Sequence, residues 1–268
     1  MSRPEEIAPP EIFYNDAESF KYTSNNRVQH IQAKMTLRAL ELLNLNKDEP
    51  HFLLDLGCGS GLSGEILTEE GYNWLGMDIA PSMLASALDR KVEGDLFLAD
   101  LGNGIPFRAG TFDAAISISV IQWLCNADTS GLDPKKRLMR FFNTLYALLQ
   151  RGGKFVAQFY PLNDSQTKLI MEYAKIAGFA GGLIIDDPDS KRKRKHYLIL
   201  TAGQSDRNLN LAGAQMDAPG AKKMSAKMKR KTETRKEYIN RKKEDMRRRG
   251  RTVALDSKFT ARKRRPRF

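Results

Sequence analysis

Residues 52 to 67 read FLLDLGCGSGLSGEIL, and three glycines alternate there, at Gly57, Gly59 and Gly61, directly behind a short apolar run. Glycines so placed let the backbone turn tightly and approach a ligand closely, and a following helix offers its N-terminus to it. The chemistry implied is the cradling of a phosphate or a nucleoside. Gly59-Ser60-Gly61-Leu62-Ser63-Gly64 formally spells the G-x-G-x-x-G of dinucleotide sites, and Asp78 lies near the distance expected of a ribose acid. Other chemistries find less support. The histidines His30, His51 and His196 and the cysteines Cys58 and Cys125 are scattered, so no metal-ligand spacing exists. Cys58 sits inside the glycine loop with no histidine near it in sequence, which suits packing better than nucleophilic attack.

The loop needs a scaffold, and the surrounding pattern supplies one. Val28, Ile31, Met35, Leu42 and Leu45 recur at helical spacing, which predicts an amphipathic helix over Asn26 to Leu43. Strands are predicted at HFLLDLG, NWLGMD, DLFLAD, FDAAISIS and KFVAQFYP. Between them stand helical patterns: SGEILTEEG ending at Gly71, SMLASALDRK with Pro81 near its start, and DPKKRLMRFFNTLYALLQRGG closed by Gly152. A helix over DSQTKLIMEYAKIAG follows, then GGLIIDD and HYLILTAG with only the loop PDSKRKRK between them. Alternating strands and helices mean a parallel sheet covered on both faces. The last two strands are expected to pair as an antiparallel hairpin.

Charge divides the chain. Net charge is +12, but residues 191–268 hold 27 Lys and Arg against 7 Asp and Glu, a net of +20. Residues 1–190 are left at −8, an acidic globule with a very basic tail. That tail calls for an anionic partner, and its runs KMKRK, RKKEDMRRRGR and ARKRRPRF also read as nuclear import signals. Few large apolar residues occur after 205, so the tail is expected to be disordered when free, with a helical tendency from about Ala221 to Arg249. No stretch reaches the roughly 18 apolar residues of a membrane helix. The N-terminus lacks a charged-then-apolar signal pattern, and two cysteines build no disulfide framework, so a reducing compartment is expected.

The register around the glycines carries a resemblance. Asp55 ends the strand and Gly57 is the first turn residue, giving D-L-G-C-G-S-G. This resembles the first motif of class I S-adenosylmethionine-dependent methyltransferases. Their ligand carries a sulfonium and an amino acid in place of a pyrophosphate, and an acid such as Asp55 suits its ammonium. The final antiparallel hairpin matches the family's Rossmann-like seven-stranded α/β sheet. The resemblance implies cofactor contacts from Asp55, Gly57, Cys58, Gly59 and Gly61. It also implies that Asp78 accepts from the ribose hydroxyls beside Ile79, that Asp100 and Leu101 meet the adenine, and that Ser119, with Val120, Ile121, Gln122 and Trp123, lies where cofactor and substrate meet.

A narrower resemblance follows from PPEIFYNDAESFKYTSNNRVQHIQAKMTLRALELLNL, LLDLGCGSGLSGE, GMDIAPSML and GGKFVAQFYP. These segments look like the eukaryotic small-subunit (18S) ribosomal RNA guanine-N7 methyltransferases, which are ribosome assembly factors. The similarity covers residues 1 to 204, with the tail matching in composition only. It implies three parts: residues 1–50 covering the cofactor site, a methyltransferase domain over 51–204, and an RNA-binding and nuclear-localisation tail over 205–268. The substrate implied is small-subunit rRNA within pre-ribosomes, in nucleus and nucleolus and partly in cytoplasm. Tyr160, Trp123 and Tyr14 are the candidates for positioning the base, with Phe159 and Phe13 beside them, and no general base is required. Strand 95–100 has neither Lys nor Pro to guard a sheet edge. The resemblance implies a small zinc-binding activator subunit there. A methyltransferase for a protein or small molecule, and an assembly scaffold whose binding outweighs catalysis, stay open as alternatives.

Overall fold

The structure is a computed structural model, and it describes residues 3–126, 133–190 and 194–203, together with Lys243 and Arg247. The chain divides into two units, Met1–Met216 and Asp217–Phe268. The expectations of disorder and helical tendency in the tail concern residues outside the described ones.

The first unit opens with helices α1 (Pro10–Phe13), α2 (Asp16–Ser24) and α3 (Asn26–Leu43). It continues through β1 (Phe52–Leu56), α4 (Leu62–Glu69), β2 (Asn73–Asp78), α5 (Pro81–Asp89), β3 (Asp95–Leu98) and β4 (Phe112–Ile118). Then come α6 (Pro134–Leu148), β5 (Leu149–Phe159), α7 (Asp164–Ile176), β6 (Ala180–Asp186) and β7 (Lys195–Thr201). The seven strands form one sheet in the order β3-β2-β1-β4-β5-β7-β6. β7 runs antiparallel between β5 and β6, and the other pairs are parallel. The strand order reverses between β1 and β4, and sheets of this kind bind ligands at the carboxyl ends of the strands beside such a reversal.

Strand alternation separates two cores. Leu53, Ala114, Ile116, Val156 and Ile199 face α3 and α4, whereas Leu54, Ala115, Phe155, Ala157 and Leu198 face α6 and α7. Burial on both faces explains why these strands read as continuous apolar runs. α3 keeps the bounds expected of it, and its buried stripe includes Met35, Ala39 and Leu43.

Two local expectations change. α6 ends at Leu148 rather than running to Gly152, because Leu149 already pairs with Phe112 and is buried in the sheet. Gly152 instead turns inside β5 at φ +83°, its N–H donating to the Ala202 carbonyl at 2.7 Å. The polar opening segment, for which no element is expected before Asn26, holds α1 and α2. Pro10 starts α1, and the Asn15 side chain caps α2 by accepting from the Glu18 N–H.

Candidate active site

β1 enters its turn at Gly57, and Gly57, Gly59 and Gly61 all lie in the left-handed region, at φ +79°, +53° and +78°. A Cβ on Gly57 would stand 2.2 Å from the Val120 side chain, so glycine is required there for both conformation and space. The alternate twists aim the loop at the carboxyl ends of β2 and β4. Asp78, the last residue of β2, accepts from the Gly59 N–H and from the Ala80 N–H, each at 2.8 Å. Burial pushes its carboxyl above the usual range, against the amides of Ala80, Gly59 and Ile79. The Asp78 carboxylate therefore both caps the next turn and fastens the glycine loop.

These residues wall a concave pocket at the carboxyl ends of the strands. Gly57, Cys58, Gly59, Asp78, Ile79, Asp100, Leu101, Ser119, Trp123 and Tyr14 all line it. Ten of the residues singled out in sequence thus meet around one space. Asp55 and Gly61 do not line it. Asp55 lies behind the loop, fully buried, with the Ser63 hydroxyl donating to its Oδ2 at 2.5 Å and its Oδ1 without a partner. Burial pushes it up to about 7. Gly61 caps α4, where a Cβ would meet Val92 at 2.5 Å. Cys58 is buried with its thiol well above the usual range, its Sγ filling the place that a side chain on Gly76 would take.

A second cavity, of about 410 Å³, adjoins the first. Tyr14, Tyr22, Gln32, Ser119 and Trp123 border both. Tyr160 lines only the second, where the Lys195 ammonium lies 4.4 Å above its ring and hydrogen-bonds its hydroxyl. Tyr14 and Phe13 stand with ring centroids 6.0 and 6.3 Å from Trp123. The Tyr14 hydroxyl is pushed up to about 12, chiefly by burial. Phe159 is excluded from both cavities. It is fully buried beneath the sheet, because its neighbour Tyr160 takes the opposite face.

Several wall residues escape a reading of sequence. Arg137 of α6 reaches 2.9 Å from Asp100 Oδ1, which also accepts from the Gly102 N–H at 2.8 Å. A Cβ on Gly102 would collide with the guanidinium at 2.2 Å, so that glycine makes room for the pair. A usable signal existed: Arg137 shares the buried stripe of α6 with Phe141, four residues on. Gln32 likewise sits on the apolar face of α3, donating to the Tyr22 hydroxyl at 2.7 Å. Gln158, which lines neither cavity but backs Ser119, has no such marker. It is fully buried, accepts from the Ser119 hydroxyl at 2.7 Å, and so helps hold Ser119 at φ +66°.

The donor set suits a nucleoside bearing an amino acid. The Ser60 hydroxyl lines the cavity, buried and without a partner; Asp78 keeps lone pairs free; Ile79, Met83 and Leu101 offer apolar contacts. Among the described residues the wall carries two carboxylates, Asp78 and Asp100, against one cationic side chain, Arg137, an acidic balance that disfavours a pyrophosphate. Among the described residues no three His, Cys, Asp or Glu side chains cluster as metal ligands, and no helix is long and apolar enough to cross a membrane.

Comparison with known proteins extends this. Residues 54–157 match a methyltransferase domain family, and residues 200–266 match a family described as a methyltransferase involved in Williams-Beuren syndrome. The chain is 64% identical to the 18S rRNA (guanine(1575)-N(7))-methyltransferase of Saccharomyces cerevisiae, with 100% of each covered. The chain belongs to the 18S rRNA (guanine-N7)-methyltransferase family. Its mouse member is 46% identical, over 99% of this chain and 98% of the relative. The basic tail is a family feature in its sequence, not in composition alone as expected, since the second match covers it. A Haloferax volcanii methyltransferase, solved with a methyltransferase activator, shares the fold at TM-score 0.50 and 17% identity, covering 70% of this chain and 98% of that one.

Proposed function

We propose that this protein transfers a methyl group from S-adenosylmethionine to N7 of a guanine in 18S rRNA, during assembly of the small ribosomal subunit. The carrying observation is the 64% identity along the whole chain to a yeast enzyme of that named activity. Bound in the first cavity, S-adenosylmethionine supplies an electrophilic methyl carbon. Guanine N7 has a lone pair and no proton to lose, so the protein is asked for alignment and dryness rather than for a base. The walls agree with that demand. Asp78 is held by main-chain amides and Asp100 by Arg137, while burial keeps the Tyr14 and Cys58 protons in place at neutral pH. Gly57, Gly59 and Asp78 hold the cofactor, with Asp100 and Leu101 at its base. Tyr14 and Trp123, on the wall shared by both cavities, orient the acceptor base, and Tyr160 borders it from beyond.

The tail, with a net charge of +20 over residues 191–268, supplies salt-dependent affinity for rRNA and a nuclear and nucleolar address. The activator subunit pairs along β3. That strand is the sheet's edge, and Phe97 and Leu98 are exposed on it. Mapping N7-methylguanosine along 18S rRNA from cells with and without the protein tests the reaction; one site should vanish, and identical maps would overturn the reading. The chain purified alone should aggregate and regain activity with the activator, whereas a monodisperse, fully active lone chain would remove the need for that partner.

A further inference from the structure

A residue in the wall of the second cavity carries a buried acceptor without a donor. Gln122 follows β4 on a 3-10 turn, is 4% exposed and lines this cavity but not the first. Its Nε2 donates to the Ser119 carbonyl at 2.8 Å, and its Oε1 has no partner. A buried oxygen left unpaired in a cavity wall costs free energy until a ligand donates to it. The same wall carries Glu5, whose side chain is 11% exposed. Two tethers set its place. Asn126 Nδ2 donates to the Glu5 carbonyl at 2.5 Å, and Arg3 Nη1 donates to the Tyr160 carbonyl at 3.0 Å while lying 3.8 Å from the Glu5 carboxylate. The aromatic rings of Tyr14 and Trp123 border both this cavity and the first.

A guanine turned so that N7 faces the first cavity presents its N1–H and 2-amino group on the other side, away from the methyl donor. Both are donors. Adenine presents a bare N1 lone pair and no 2-amino group. A wall bearing a carboxylate and an amide oxygen meets the first and repels the second. Resting on the proposed methyl transfer to guanine, we infer that the second cavity is the acceptor-base pocket, and that Gln122 and Glu5 select guanine there by accepting from its N1–H and 2-amino group. Gln122 and Glu5 are specificity residues, set at the end of the base remote from the reacting nitrogen. They determine which base is admitted and leave the cofactor untouched.

The test is direct binding of guanosine and adenosine monophosphates to the full-length chain saturated with S-adenosylhomocysteine, at nucleotide concentrations up to the millimolar range. Wild type should favour the guanine nucleotide about tenfold. Gln122→Leu and Glu5→Leu should each reduce that preference severalfold, while Glu5→Gln, which keeps an acceptor, should retain most of it. The dissociation constant for S-adenosylhomocysteine should stay unchanged in all three. Should Gln122→Leu lose S-adenosylhomocysteine binding, Glu5→Leu decides alone. Equal affinity of wild type for the two nucleotides, absence of binding to either included, overturns the inference, as does an undiminished preference in Glu5→Leu. Either result leaves the methyl transfer itself standing, because that reading falls only if the N7-methylguanosine map is unaltered by loss of the protein.

Discussion

The glycine loop and the N-terminal cover meet at the same cavity and are built in opposite ways. The loop is held through its main chain: left-handed glycines, the Gly57 N–H on the Met77 carbonyl at 2.7 Å, and the Gly59 N–H on the Asp78 carboxylate at 2.8 Å. The cover is held by side chains that reach across the fold. Arg3 grips a carbonyl 157 residues away, Asn126 grips one 121 residues away, and Phe13 and Tyr14 lean on Trp123. A main-chain cradle tolerates no substitution that adds a Cβ in a crowded place. A side-chain latch can lose one member and still close.

Breaking the loop should therefore have the largest effect. Gly57→Ala places a Cβ against Val120 at φ +79°, and S-adenosylhomocysteine affinity by calorimetry should fall more than about 100-fold, since the loop must move off the ligand. Gly71→Ala is the internal control: φ is +88° but nothing lies within 4 Å, so the change should cost about 1 kcal/mol of stability and leave cofactor affinity intact. Similar losses in both variants would mean that the crowding at Gly57 is irrelevant.

Loosening the cover should have a smaller, differently placed effect. Arg3→Ala removes one half-exposed latch, and KM for the RNA acceptor should rise about fivefold with cofactor affinity unchanged. Equal damage to both ligands would erase the distinction between the two regions.

The smallest effect concerns the layer behind the loop. Burial pushes Asp55 up to about 7, with the Ser63 hydroxyl opposing the rise and the Asp78 charge adding to it. The folded state then binds this proton more tightly than the unfolded state. Its contribution is present below the unfolded value of about 4 and is lost as pH rises through about 7. Asp55→Asn should flatten that fall in unfolding free energy, read by urea titrations across the window. An unchanged slope would place the pH dependence elsewhere.

What could be read in sequence is what short-range chemistry imposes. Short continuous apolar runs, the Asn26–Leu43 stripe and the register of Asp55 and Gly57 give the sheet, its helices and the cofactor loop, because each depends on neighbours a few residues away. Asp78 belongs here as well, since an acid ending β2 meets the loop in any sheet where β1 and β2 pair side by side.

The tertiary structure decided the rest. α1 and α2 are short, and α2 buries only Ser19, so little in their own pattern announces them; they persist by docking on distant elements. The end of α6 was set by a strand partner 37 residues earlier, not by the next glycine. Asp55 and Gly61 belong to the right motif yet stand off the cavity wall, a matter of which way a buried side chain faces. Arg137 and Gln158 join the site from α6 and β5, and their pairings with Asp100 and Ser119 exist only once the sheet brings those elements to one end. Spacing along a chain governs local turns and faces, whereas a wall shared by remote segments is defined by the packing that closes it.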